Sequence, residues 1–225
     1  IMAGGKGTRL APMTNILPKP LTPIGDSTVT QHIMDRFARY GCTDVYMSVN
    51  FKANLIKAYF SDAGPRYRIK FVEEEKPLGT AGSLGLLRRR IKKTFFLINC
   101  DVLVDADYAD ILDFHRARRN MITIVGSMKH FTVPYGVCDI KKGGDLVSTR
   151  EKPEYDFLVN TGLYLMEPGI LSRVPANRPM HMPELIDKCL AGGIKVGVYP
   201  ISDKSWADTG QWQPLQDTLL KLGEK

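Results

Sequence analysis

Apolar positions recur along this chain with two different periods. Short runs rich in Val, Ile and Phe fall at Asp44 to Val49, Ile69 to Val72, Phe95 to Asn99, Ile122 to Ser127, Val159 to Met166 and Lys195 to Pro200, and these read as strands. Thr30 to Tyr40, Asn54 to Phe60, Ala109 to Arg118 and Pro183 to Ala191 instead space their apolar residues as amphipathic helices do. Strands alternating with helices imply strand-helix-strand units, and so an α/β fold: a Rossmann-like, three-layer α/β/α arrangement about a mainly parallel, mixed central sheet. Two stretches break the alternation. Leu17-Pro18-Lys19-Pro20-Leu21-Thr22-Pro23 cannot be helical, because proline removes amide donors and pushes its predecessor toward extended geometry. Lys129 to Arg150 has strand-like pieces around a Lys141-Lys142-Gly143-Gly144-Asp145 turn, which predicts a small hairpin added to the main sheet.

Composition narrows the class. A chain of 225 residues, 44% hydrophobic, can fill one core, so a single domain over 1–225 is expected. No apolar run approaches the roughly 20 residues of a membrane helix, which predicts a soluble chain without a membrane partner. The opening Ile1-Met2-Ala3-Gly4-Gly5 reads as the end of a strand, so further residues, and an upstream domain, are expected before it. Cys42, Cys100, Cys138 and Cys189 are widely spaced and sit in apolar segments, which suits reduced packing cysteines in the cytoplasm. The net charge of +7 permits a nucleic-acid partner but does not call for one, since triphosphates and sugar phosphates need cations too. The one dense basic run, Arg88-Arg89-Arg90-Ile91-Lys92-Lys93, lacks interleaved aromatics and reads as a solvated helix end, so no nucleic acid is expected.

The candidate chemistry starts at Gly4-Gly5-Lys6-Gly7. Three of these four residues lack a side chain, so the backbone can turn sharply and bring its amides to phosphate oxygens. No Lys-Ser or Lys-Thr follows, which excludes a Walker A loop. Leu10 stands where the third glycine of a dinucleotide fingerprint belongs. Thr8 and Arg9 follow the turn, and Lys19 stands between two prolines. Arg9 offers a planar fork of donors suited to a polyphosphate, and Lys19 a rigidly held point charge.

With those residues in view, Gly4-Gly5-Lys6-Gly7-Thr8-Arg9-Leu10-Ala11-Pro12 and Pro18-Lys19-Pro20-Leu21 resemble the signature of the sugar nucleotidyltransferase (NDP-sugar pyrophosphorylase) family. Further family motifs follow in order across nearly the whole chain: Asn99-Cys100-Asp101, Tyr135-Gly136-Val137, Glu151-Lys152-Pro153, Asn160-Thr161-Gly162 and Asp208-Thr209-Gly210. The resemblance implies transfer of a nucleotide from a nucleoside triphosphate to a sugar 1-phosphate. It also implies that Ala3, Gly4, Gly5, Gly7, Thr8, Arg9, Gly79 and Thr80 hold the nucleotide, and that Gly136, Glu151, Lys152 and Asn160 hold the sugar phosphate, the hairpin serving the sugar. Arg9, Lys19 and Asp101 are its catalytic set, and Asp101 and Asp208 its ligands for Mg²⁺. One departure is Cys100, where the family usually has glycine. Family members often form dimers or larger assemblies, which makes a homo-oligomer an expectation as well.

Residue chemistry agrees with parts of this. Asp101 ends an apolar run, and so should stand at the carboxyl end of a strand, where ligands bind in open α/β sheets. Two distant carboxylates suit Mg²⁺ that completes its shell with phosphate oxygens and water. His32, His115, His130 and His181 have no carboxylate or serine partner in the sequence pattern and read as structural.

The base is the finer question. One carboxylate can accept from both neighbouring donors of guanine, the ring N–H and the amino group, and pyrimidine edges offer no such pair. Glu73-Glu74-Glu75-Lys76-Pro77-Leu78-Gly79-Thr80-Ala81-Gly82 resembles a stretch of guanylyltransferases, including those acting on mannose 1-phosphate, so GTP is favoured with Glu74 as its reader. The chain also resembles nucleotidyltransferase modules that follow paired CBS domains. A thymidylyl- or uridylyltransferase, or a non-catalytic regulatory homologue, are the alternatives, and the hexose stays open.

Overall fold

The computed structural model describes residues 1–61, 66–212, 215, 216 and 218. In chain order its strands are β1 (Met2–Ala3), β2 (Pro23–Ile24), β3 (Ser27–Thr28), β4 (Asp44–Val49), β5 (Arg68–Glu73), β6 (Phe95–Ile98) and β7 (Val102–Val104). They continue with β8 (Ile122–Thr132), β9 (Val137–Ile140), β10 (Leu146–Arg150), β11 (Glu154–Met166), β12 (Val196–Ile201) and β13 (Trp206–Asp208). The helices are α1 (Val29–Arg39), α2 (Ala53–Ser61), α3 (Gly79–Gly82), α4 (Tyr108–Arg118) and α5 (Met182–Ala191).

The central sheet has two parts. β1, β4 and β5 pair in parallel, and β12, β8, β11 and β6 form the other part in that order. A parallel bridge between Met2 and Asn99 joins them. β12 runs parallel to β8, while β11 is antiparallel to both β8 and β6, which makes the sheet mixed.

Strand alternation sends side chains to two helical layers. Leu163 and Leu165 of β11 join a core with Ile33 and Phe37 of α1 and Tyr108 and Ile111 of α4. Tyr164 and Met166 join Leu84, Met182 and Leu185 on the opposite face. Val45, Met47 and Val49 of β4 pack on Met34 of α1 and on Ile56 and Phe60 of α2.

Helix starts are set locally. Thr28 caps α1 reciprocally with Gln31: the Gln31 amide donates to Thr28 Oγ1 at 3.2 Å and the Thr28 amide to Gln31 Oε1 at 2.8 Å. Asp107 Oδ1 accepts from the amides of Ala109 and Asp110 at the start of α4.

The hairpin differs from expectation. Lys129–Thr132 does not belong to it but extends β8, pairing with the first residues of β11, out to Thr132 opposite Glu154. β9 and β10 then pair only with each other, as a two-stranded sheet rather than an addition to the main one. The chain spends its pairing capacity on the long β8–β11 ladder first, and the turn residues Lys141 to Asp145 close a separate ribbon between those two arms.

Candidate functional site

The glycine segment leaves the end of β1 and turns at Gly7, whose φ of +65° lies in the left-handed region that favours glycine. The Gly7 carbonyl accepts from the Leu10 amide and from Thr14 Oγ1, both at 2.9 Å, while Leu10 is buried beneath. This leaves Thr8 and Arg9 exposed on the turn. Pro18 and Pro20 are buried on either side of Lys19, which fixes where its side chain leaves the backbone.

A cleft of about 360 Å³ opens over this segment. Gly4, Gly5, Gly7, Thr8, Arg9 and Lys19 line one side. Glu74, Gly79, Thr80 and Asp101, all expected at the site, line it too. Ala3 is buried at the root of the turn, 1% exposed, and supports it from behind.

Glu74 is also buried. Its Oε2 accepts from the Leu78 amide at 3.0 Å, and burial pushes its carboxyl above the usual carboxylate range against that hydrogen bond. A methyl at Gly4 would stand 2.8 Å from Glu74 Oε1, so the absence of a side chain there lets the backbone approach the carboxylate.

A second cleft, of about 280 Å³, is lined by Asn160, Thr161, Gly162, Tyr164, Trp206 and Asp208, together with Arg9, Asn99 and Asp101. Arg9, Asn99 and Asp101 therefore border both clefts. Asn160 is held by both ends of its amide: Nδ2 donates to the Tyr164 hydroxyl and Oδ1 accepts from the Gly162 amide, each at 2.9 Å. Burial keeps the Tyr164 hydroxyl protonated. Trp206 carries the Lys129 ammonium over its ring at 5.0 Å.

Antiparallel pairing of β13 with β7 sets Asp208 opposite Val102 and so beside Asp101. The turn is locked by Thr209, whose amide and hydroxyl donate to the Asp101 carbonyl at 2.8 and 2.9 Å. Gly210 closes the arrangement. A methyl there would collide with Asp101 Oδ2 and stand 2.7 Å from Lys19 Nζ and 2.9 Å from Asp208 Oδ1. Two carboxylates and one ammonium thus converge on one point, with the Lys19 ammonium paired to Asp101.

Among the described residues no group of three or more His, Cys, Asp and Glu could hold a metal. A cation here would have only Asp101 and Asp208 from the protein and would fill its other positions from phosphate and water, a donor set that suits Mg²⁺. Cys100 is buried beside the cleft and burial pushes its thiol up to about 12, so it stays protonated and chemically quiet.

Gly136, Glu151 and Lys152 line neither cleft. Gly136 and Glu151 are neighbours, a methyl at Gly136 falling 3.0 Å from Glu151 Oε2. Lys152 is exposed at a left-handed φ of +44°. All three sit next to the β9–β10 ribbon, outside the main sheet.

The clefts also recruit residues not singled out from the sequence: Ser48, Asn99, Tyr164, Trp206 and His181. His181, read as structural from the sequence, lines the first cleft. Its signal lay in position, two residues after Pro179 and just before a helical stretch, and not in any motif. No described helix is long and apolar enough to cross a membrane.

Comparison with known proteins gives the family and the fold. A family model described as nucleotidyl transferase matches residues 1–225. The chain is 31% identical over 219 residues to a mannose-1-phosphate guanylyltransferase of Mycobacterium tuberculosis, covering 93% of this chain and 60% of that protein. It is 35% identical over 223 residues to a mannose-1-phosphate guanyltransferase of Pichia angusta, with 94% and 60% covered. The chain therefore spans about 60% of the length of these curated relatives. Among solved structures, HddC from Yersinia pseudotuberculosis complexed with GMP-PN superposes with a TM-score of 0.76 at 22% identity, covering 98% of this chain and 96% of that one, a likeness of fold.

Proposed function

Since the chain belongs to the nucleotidyl transferase family, we propose that it joins a nucleoside triphosphate, GTP in preference, to a hexose 1-phosphate and releases pyrophosphate. The observation that carries this reading is that the two clefts share Arg9, Asn99 and Asp101. A nucleotide in one and a sugar phosphate in the other would bring their phosphates together at those residues. The names of the relatives from Mycobacterium tuberculosis and Pichia angusta support guanine as the base and mannose 1-phosphate as a candidate acceptor. Glu74 lines the same cleft and supports the guanine reading, because a carboxylate can accept from guanine's two neighbouring donors.

The reaction needs no protein nucleophile. An oxygen of the sugar phosphate attacks the α-phosphorus in line, forming the new P–O bond, while the bond from that phosphorus to the bridging oxygen breaks and pyrophosphate leaves with the electron pair. Backbone amides of Gly4 to Thr8 cradle the triphosphate, and Arg9 offsets charge on the departing side. Lys19 holds the reacting phosphates against their mutual repulsion. Asp101 and Asp208 would hold Mg²⁺, which supplies charge neutralisation at the phosphate oxygens. Asn160 offers a donor and an acceptor to a sugar diol. Glu151 and Lys152 would have to reach the sugar phosphate from the ribbon beside the second cleft.

The test is pyrophosphate release measured for GTP, dTTP and UTP crossed with mannose, glucose and glucosamine 1-phosphates. GTP should lead with at least one sugar. GTP ranking below dTTP and UTP throughout would overturn the base assignment, and no release with any pair would favour a regulatory homologue.

A further inference from the structure

His181 differs from the other histidines in what its ring does. The rings of His32, His115 and His130 are engaged, by the Ile24 carbonyl, by Thr123 with Glu167, and by Asp156 respectively. The His181 ring makes no hydrogen bond to a described residue, is exposed, and lines the nucleotide cleft.

Its placement is built, and the construction is visible in three glycines. Gly79, Gly82 and Gly85 lie three residues apart and present one side to the segment Pro175 to Met182. A methyl at each would fall 2.7, 2.7 and 2.8 Å from the carbonyl oxygens of Met180, Arg178 and Pro175. Backbone bonds zip the segment in place. The Met180 amide donates to the Leu78 carbonyl at 2.9 Å, and the Ala81 and Gly82 amides donate to the Met180 carbonyl at 2.9 and 3.1 Å. The Met182 amide donates to Thr80 Oγ1 at 2.9 Å.

Met180 and Met182 are both buried, 2% and 1% exposed, whereas His181 between them is exposed and lines the cleft. There its ring lies against Gly79, with Cε1 and Nδ1 at 3.1 and 3.2 Å from where a methyl would stand. Glu74, bound to the Leu78 amide, adjoins the neighbouring residue of the same loop.

We propose that His181 is a second base-reading residue, donating a ring N–H to the N7 edge of a purine while Glu74 accepts from the donors of its opposite edge. The proposal rests on the guanine reading above and deepens it. A carboxylate alone selects guanine by its amino and ring N–H groups. A donor aimed at N7 adds a contact to an acceptor that only the purine ring carries.

The experiment compares GTP with 7-deaza-GTP, which lacks the N7 acceptor, in the wild-type protein and in His181→Ala. One neutral hydrogen bond corresponds to roughly a fivefold change in KM. The wild type should therefore show KM for 7-deaza-GTP about fivefold above that for GTP, and in His181→Ala the two should coincide, with kcat and melting temperature little changed. His181→Asn, which keeps a donor, should restore part of the difference. An equal KM ratio in wild type and His181→Ala, or a fall in kcat or thermal stability without a change in KM, overturns the proposal and leaves the guanine reading intact. If the wild-type protein uses a pyrimidine triphosphate in place of GTP, the guanine reading fails, and the purine contact with it.

Discussion

The Lys19 ammonium and the Asp101 carboxylate form a salt bridge where the two clefts meet, their side chains 12% and 9% exposed. The two belong to different ligands in the proposed reaction, one to phosphate and the other to a metal ion. In the structure each neutralises the other, so neither stands as an isolated buried charge.

Asp101→Asn keeps the shape and one oxygen to accept from Lys19 but removes the charge. Pyrophosphate release should fall by about 10³-fold, while the melting temperature moves by only a few degrees. Paired measurement of turnover and thermal unfolding checks this. Equivalent losses in both would mark Asp101 as a structural residue.

Gly210→Ala tests the convergence of the three charged groups. The added methyl would collide with Asp101 Oδ2 and stand 2.9 Å from Asp208 Oδ1, and these flexible side chains can part to admit it. The fold should survive with unchanged circular dichroism, but turnover should drop by roughly 100-fold because the carboxylates no longer share a point.

Glu74→Gln should separate stability from recognition. Burial raises the native carboxyl above its ordinary value of 4.5, so the native state holds its proton to higher pH than the unfolded chain does. Stability attached to Glu74 is therefore present below 4.5 and lost as pH rises through the elevated native value. The Gln variant, still able to accept from Leu78, should unfold at higher denaturant than wild type at pH 8, with the gap closing near pH 4. Its KM for GTP should rise about tenfold, with UTP unaffected.

His115 gives the opposite sign. It is buried, with Nδ1 2.7 Å from Thr123 Oγ1 and Nε2 3.2 Å from Glu167 Oε1. Burial lowers its pKa below the ordinary 6.5, partly offset by Glu167. The unfolded chain then binds a proton that the native state resists, so stability falls as pH drops below 6.5. Urea unfolding midpoints at pH 7.5 and 5.5 should show this decline in wild type and a smaller one in His115→Asn.

How much could be read in advance varied with range along the chain. β4 runs from Asp44 to Val49 as its apolar period implied, and α1, α2, α4 and α5 lie within a residue or so of the stretches with helical spacing. The glycine turn was legible because backbone freedom is a local property, and the setting of Lys19 because its constraint comes from the prolines on either side. Asp208 was singled out by resemblance, since a lone Asp before Thr-Gly reads more readily as a turn. The β8 extension was misread because Lys129 to Thr132 pairs with residues beyond the hairpin, and nothing local to Lys129 reports that partner.

By itself, the sequence determined the alternation of strands and helices, the mixed α/β class and the sharp glycine turn after the first strand. Each depends on side-chain period or backbone freedom within a few neighbouring residues. Only the tertiary structure decided that Asp208 stands beside Asp101 and that His181 lines the first cleft. The first follows from pairing between strands of three residues each, β7 and β13, too short to show a period, and from Thr209 bonding to Asp101 across 108 positions of sequence. The second follows from carbonyl groups seated on three glycines nearly a hundred positions away, a fit of backbone against backbone that no side-chain pattern records.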